Sequence, residues 1–123
     1  MSTIKVENIR IASEAVSRPV TGVAAAWVNF NGTGTIAIRD SVNVSSLTDY
    51  DTGWYFVNFS NSFGNVNYSV VGSGADLGNN FIFSPTLSSR TISLFNFVAC
   101  TNADGSNKVD VSIADATAHG ELA

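Results

Sequence analysis

Read for hydrophobic period, the chain is a series of short alternating runs with turn residues between them. Val23–Phe30 puts Ala24, Ala26, Val28 and Phe30 on one side and Val23, Ala25, Trp27 and Asn29 on the other. Asn31-Gly32-Thr33-Gly34 reads as a turn, with glycines for positive φ. Thr35–Arg39 alternates with Ile36 and Ile38 inward, and Ser41–Leu47 continues the pattern after a bend or bulge at Asp40-Ser41. Thr48–Gly53 reads as a hairpin loop. It leads into Trp54–Phe59, the most apolar strand, with Trp54 and Phe56 on one face and Tyr55, Val57 and Phe59 on the other. A loop over Ser60–Asn67 precedes a strand at Tyr68–Gly72, a Gly-rich turn to Asn80 and a short strand, Phe81–Ser84, ended by Pro85. Arg90–Ala99 is a long strand, with Ile92, Leu94 and Val98 against Phe95, Phe97 and Ala99. After the polar loop Thr101–Asn107, Lys108–Ala114 reads as the last strand, with Val109, Val111 and Ile113 inward.

Short strands at regular spacing with turn chemistry between them predict an all-β fold, an antiparallel β-sandwich of jelly-roll-like form over residues 23–116. Residues 117–123 are a polar C-terminal tail. Residues 1–22 form an N-terminal arm, in which Ile4, Val6, Ile9 and Ile11 alternate imperfectly. A strand over Thr3–Ile11 and a helical turn at Ser13–Ser17, with Ser13 as its N-cap, both fit. Pro19 stops either element. The arm has too little apolar surface to pack on itself, so it is expected to lean on the domain, on a neighbouring subunit or on a larger assembly. No helix-period segment of useful length and no internal repeat is present.

Composition adds oligomerisation to this picture. The chain is 45% hydrophobic and only 13% charged, where soluble domains carry about 25% charged residues. Its polar surface therefore comes from Ser, Thr and Asn, and low charge suits burial against copies of the same chain. A solvated face does not carry both Trp54 and Phe56. Trp27, Phe56, Phe95 and Phe97 are accordingly expected at a subunit interface.

Charge and motifs exclude more than they select. Net charge is −4 and the six bases are scattered, so no nucleic-acid footprint is expected. No apolar run approaches the roughly 20 residues of a membrane span, and no cleavable signal peptide is visible. Cys100 is the single cysteine; it reads as a small buried residue, and no intrachain disulfide can form. Gly72-x-Gly74 and Gly78 lack the helix and lysine of a phosphate loop. The acids lack calcium-loop spacing. The one histidine, His119, lies in the expected tail, a poor place for a preorganised base. The residues predict no enzyme, no metal and no cofactor. The remaining chemistry is aromatic: Trp27, Trp54, Tyr50, Tyr55 and Tyr68 can pack a core, anchor an interface or stack on sugar rings. Tyr50, at the expected hairpin tip, is the one most suited to face outward.

The stretch AWVNFNGTGTIAIRDSVNVSSLTDYDTGWYFVNF, continuing to NVNYSVVGS, resembles a module of tail-fibre and other minor virion proteins of tailed phages, many of them marine. The likeness spans about Ala25–Ser73, and MSTIKVENI is similar to the start of such proteins. It implies a virion structural protein of tail-fibre or head-fibre type, usually a homotrimer, displayed on the particle for host-surface attachment. Its partners would be other virion proteins and a host-surface glycan. On that reading, receptor contact falls to Tyr50, Asp51, Trp54, Asn79 and Asn80, and virion attachment to Ile4, Val6, Ile9 and Ile11. The alternatives are a capsid decoration or tail structural protein without a receptor, and a carbohydrate-binding module.

Overall fold

The computed structural model describes residues 1–10, 12–76, 79–80, 82–85, 90–102 and 106–123; for Arg18, Asp76, Asn79, Asn80 and residues 82–85 it describes the backbone alone. The arm holds a small antiparallel pair, β1 (Asn8–Ile9) with β2 (Arg18–Pro19), and a single 3-10 turn at Val20–Gly22. The strand is thus shorter than Thr3–Ile11. Residues 12–13 form a turn rather than the start of a helix.

The strands β3 (Ala24–Asn31), β4 (Ala37–Val42), β7 (Ser69–Asp76), β8 (Asn79–Asn80) and β11 (Ile113–His119) form the first sheet, in the order β4-β3-β11-β7-β8. The second sheet holds β5 (Val44–Asp51), β6 (Trp54–Phe59), β9 (Ile82–Pro85) and β10 (Leu94–Cys100), in the order β5-β6-β10-β9. All pairings are antiparallel. From β3 onward the chain lays two strands in one sheet and then crosses to the other. The all-β antiparallel sandwich with a short N-terminal arm is therefore what this chain forms.

Period-two alternation decides which side chains meet between the sheets. Ala26, Val28 and Phe30 from β3 and Ala114, Ala116 and Ala118 from β11 face Tyr55, Val57 and Phe59 from β6 and Phe95, Phe97 and Ala99 from β10. The alanine row leaves room that the rings of the other sheet fill. Phe30 meets Tyr55 edge-on at 5.2 Å between centroids and Phe97 at 5.7 Å. At the arm end, Phe63 stacks on Tyr68 at 4.3 Å. Fully burying a ring of this kind stabilises by about 1.5–3 kcal/mol.

Several sequence expectations shift. Phe95 and Phe97, expected between subunits, are only 2% exposed and fill the chain's own core. Their strand takes its apolar cover from the first sheet. The last strand lies at Ile113–His119 instead of Lys108–Ala114, so Thr117–His119 belongs to the sandwich and not to a tail. Val109 and Val111 do point inward. Their segment lies outside the main ladder, with Lys108 bridged to Cys100 and Asp110 accepting a hydrogen bond from the Gly53 N–H at 2.7 Å. Ile113 faces out. The break between β4 and β5 falls at Asn43, with φ of 55°, rather than at Asp40-Ser41. Thr48–Asp51 belongs to β5, which leaves Thr52-Gly53 as the turn. The segment from Gly72 to Asp76 is strand, not turn. Cys100 is buried, as expected.

Candidate functional site

An aromatic patch stands on the outer face of the second sheet. Alternation turns Trp54 and Phe56 of β6 away from the core. In β5 the register shifts between Asp49, which lies opposite Tyr55, and Asp51, which lies opposite Trp54. Tyr50 is the extra residue of this bulge, and a bulge re-aims a side chain. Its ring meets Trp54 at 4.7 Å and Phe56 at 5.3 Å, both edge-on, and it remains 61% exposed. Trp54 and Phe56 lie nearly parallel, 12° apart in plane and 6.5 Å between centroids. Lys108 places its Nζ 4.4 Å from the centroid of the Trp54 ring.

Polar groups border the rings. Thr48 lies opposite Phe56, and its hydroxyl accepts from the Asn58 amide at 3.3 Å. The Asp51 carboxylate accepts from the Thr52 N–H at 2.8 Å and shapes the turn beside Trp54. Gly53, at φ 62°, closes that turn. Apolar ring faces bordered by hydroxyl, amide and ammonium groups can pack the C–H face of a sugar while the border bonds its hydroxyls. The same surface can anchor a protein.

Under the patch, the Tyr55 hydroxyl lies 3.0 Å from the carbonyl oxygen of Gly32 and 3.1 Å from Asp110 Oδ1, and accepts from the Val111 N–H at 3.4 Å. Burial pushes its pKa up strongly. Burial also lifts the Tyr68 pKa to about 12, with the nearby Arg90 charge pulling the other way. These are structural hydroxyls, held in the core by backbone carbonyls. Among the described residues no group of three or more His, Cys, Asp or Glu side chains could hold a metal.

The fold brings Tyr50, Asp51, Trp54 and Phe56 together. Phe56, expected at a subunit interface, belongs to the same patch as Trp54. Asn79 and Asn80 pair with Asp76 and Ala75 through β8, and their side chains lie outside the described part. Trp27 is half-buried on the outer face of the first sheet. Ile4, Val6 and Ile9 are exposed on the arm, while Ile11 lies outside the described residues. Sequence reasoning missed Lys108, whose place over Trp54 depends on a long-range approach that no local pattern signals. It also missed Phe63, an isolated apolar residue in a polar loop that pairs with Leu122.

The patch and the arm occupy opposite ends of the sandwich. The arm enters at Ala24, which lies opposite His119, near Gly120 and the Phe63–Tyr68 stack. Tyr55, next to Trp54, instead meets Phe30 and Gly32 at the far end of β3. Comparison with protein-family models, with curated proteins and with solved structures gives no match.

Proposed function

We propose that this protein is a virion structural protein of a tailed phage, of tail-fibre or head-fibre type, displayed as a homo-oligomer for attachment to a host-surface glycan. The observation that carries the attachment reading is the polarity of the molecule. A contact arm leaves one end, and an exposed aromatic patch sits at the other. An outward Tyr50 against Trp54 and Phe56 favours this reading over a decoration protein without a receptor. The phage assignment draws on the likeness of the Ala25–Ser73 stretch to virion modules. The patch supports the glycan part, because stacked rings with a hydroxyl and amide border suit a pyranose.

The test is retention of the purified protein on a panel of immobilised bacterial surface polysaccharides, capsular and lipopolysaccharide. The expected result is binding to a subset, with loss in Tyr50→Ala. No retention across the panel, or retention that Tyr50→Ala leaves unchanged, overturns the attachment reading.

A further inference from the structure

The outer face of the first sheet carries a second surface that the attachment reading does not use. Register places Val42, Trp27, Thr117 and Val71 side by side across β4, β3, β11 and β7. Val42 is 46% exposed and Val71 62%. Adjacent to this row runs a polar one, Asp40, Asn29, Asp115 and Ser73, in which the Asn29 amide donates to Asp115 at 2.5 Å. Toward the start of β3, Ala25 shares the outer face with Trp27. It also lines a mostly apolar cleft of about 660 Å³, walled by Val6, Val20, Val23 and Leu122. Ala25 thus links the cleft to the Trp27 row.

The arm has the opposite character. Its hairpin closes on itself, with Glu7 accepting from the Val20 N–H at 2.9 Å. It faces its own sandwich across the cleft through Val6, Glu7 and Val20. Ile4 is 85% exposed, and Val6 and Val16 are exposed as well. Residues 1–22 hold three bases against two acids, and the rest of the chain holds three bases against eight acids. Ile4 and Val6 precede the bend at Glu7, and Arg10 follows β1. The arm offers two exposed aliphatic groups for the Trp27 row, and its excess of bases suits the row of Asp40 and Asp115.

We infer that the N-terminal arm of one copy docks on the outer face of the first sheet of a second copy, Ile4 and Val6 against Val42, Trp27 and Val71. Two different surfaces meet, so the contact is heterologous, and it closes into a ring when the rotation allows. Complementary charge sets its direction, basic arm on acidic face. It rests on the oligomer in the proposed function and not on glycan binding, which uses the other sheet.

The experiment is light scattering coupled to size exclusion on the full chain at micromolar concentration. The wild type is expected as a multiple of 12.9 kDa. Val71→Asp, Val42→Asp and the arm double variant Ile4→Asp/Val6→Asp are each expected to run at 12.9 kDa with an unchanged circular dichroism spectrum. Mixing Val71→Asp with the arm variant leaves one intact arm and one intact face, so a heterodimer is expected from that mixture and from neither variant alone. A monomeric wild type overturns the inference. So does an oligomer that survives both face variants, one that survives the arm variant, or a mixture that stays monomeric. Retention on the polysaccharide panel is read on the same variants, so failure of the arm contact and failure of glycan attachment remain distinguishable.

Discussion

The Tyr55 hydroxyl and the Asp110 carboxylate lie 3.1 Å apart at the end of the sandwich. Through them β6 is joined to the Gly32 turn, the Gly53 turn and the segment leading to β11. Tyr55→Phe keeps the ring and leaves the Val111 N–H without its acceptor. The expected loss is about 1–3 kcal/mol, the penalty of stranding a buried polar group. Chemical denaturation measures it, with an unchanged slope against denaturant. A variant as stable as the wild type would show that the hydroxyl makes no net contribution to stability.

Three glycines rank by what a methyl group would meet. At Gly53 the backbone is left-handed, at φ 62°, and a Cβ would lie 2.5 Å from the Val109 carbonyl oxygen. At Gly32 it would lie 2.5 Å from the Tyr55 hydroxyl. At Gly34, φ is 59° but the space is open. Gly34→Ala is therefore expected to cost about 1–2 kcal/mol from backbone conformation alone. Gly53→Ala adds a clash with backbone to the same strain and is expected to cost clearly more. Thermal melts of the alanine variants check the order, and equal melting shifts at Gly34 and Gly53 would contradict it.

Both core tyrosines tie stability to alkaline pH. Burial raises Tyr68 to about 12 and Tyr55 further in the same direction, against about 10 in the unfolded chain. The folded state thus holds the phenolic protons more tightly. Their contribution is fully present below pH about 10 and is lost as pH rises through the folded values. The expected curve is level from neutral pH to about 9 and falls from about 10 upward. Denaturation midpoints against pH test it, alongside tyrosinate absorbance. Tyr68→Phe should shrink the fall.

Phe97 separates a core from an interface. It touches Phe30 at 5.7 Å and Tyr55 at 5.6 Å within one chain. Phe97→Ala is expected to cost about 3–5 kcal/mol in unfolding free energy. An interface residue would instead change assembly and spare the fold. Dilution-independent destabilisation by denaturant supports the core reading.

The sandwich was legible because period-two alternation survives on the strands with large side chains. Trp54–Phe59 was bounded correctly and both of its faces were read from spacing. The last strand was not. Its inward set is Ala114, Ala116 and Ala118, whose hydrophobic signal is weaker than that of the neighbouring Val109 and Val111. The patch was half legible. Tyr50, Asp51 and Trp54 lie close in sequence and were grouped, but Tyr50 reaches Trp54 through a bulge inside β5 rather than from a loop tip. Assigning Phe95 and Phe97 to an interface failed for a definite reason. A run such as Leu94–Cys100, buried on nearly every residue, shows two covered faces without saying whether the cover comes from the same chain.

The aromatic patch predicts a separation of binding from stability. Tyr50 sits largely in water and its ring only leans on Trp54 and Phe56. Tyr50→Ala should therefore cost no more than about 1.5 kcal/mol, the scale of an aromatic pair. Lys108→Ala removes one cation over an indole and should cost about 0.5–1 kcal/mol. Trp54→Ala removes the centre of the cluster, with larger effects on both properties. If the patch holds a sugar ring, retention on the bound polysaccharide falls most for Trp54→Ala and next for Tyr50→Ala. For Tyr50→Ala that fall far exceeds the small loss of stability. Wild-type tryptophan fluorescence should shift on titration with that polysaccharide, and the shift should vanish in Trp54→Ala while Trp27 still emits. A shift that persists without Trp54 would place the ligand near Trp27 on the other sheet and move the binding surface there.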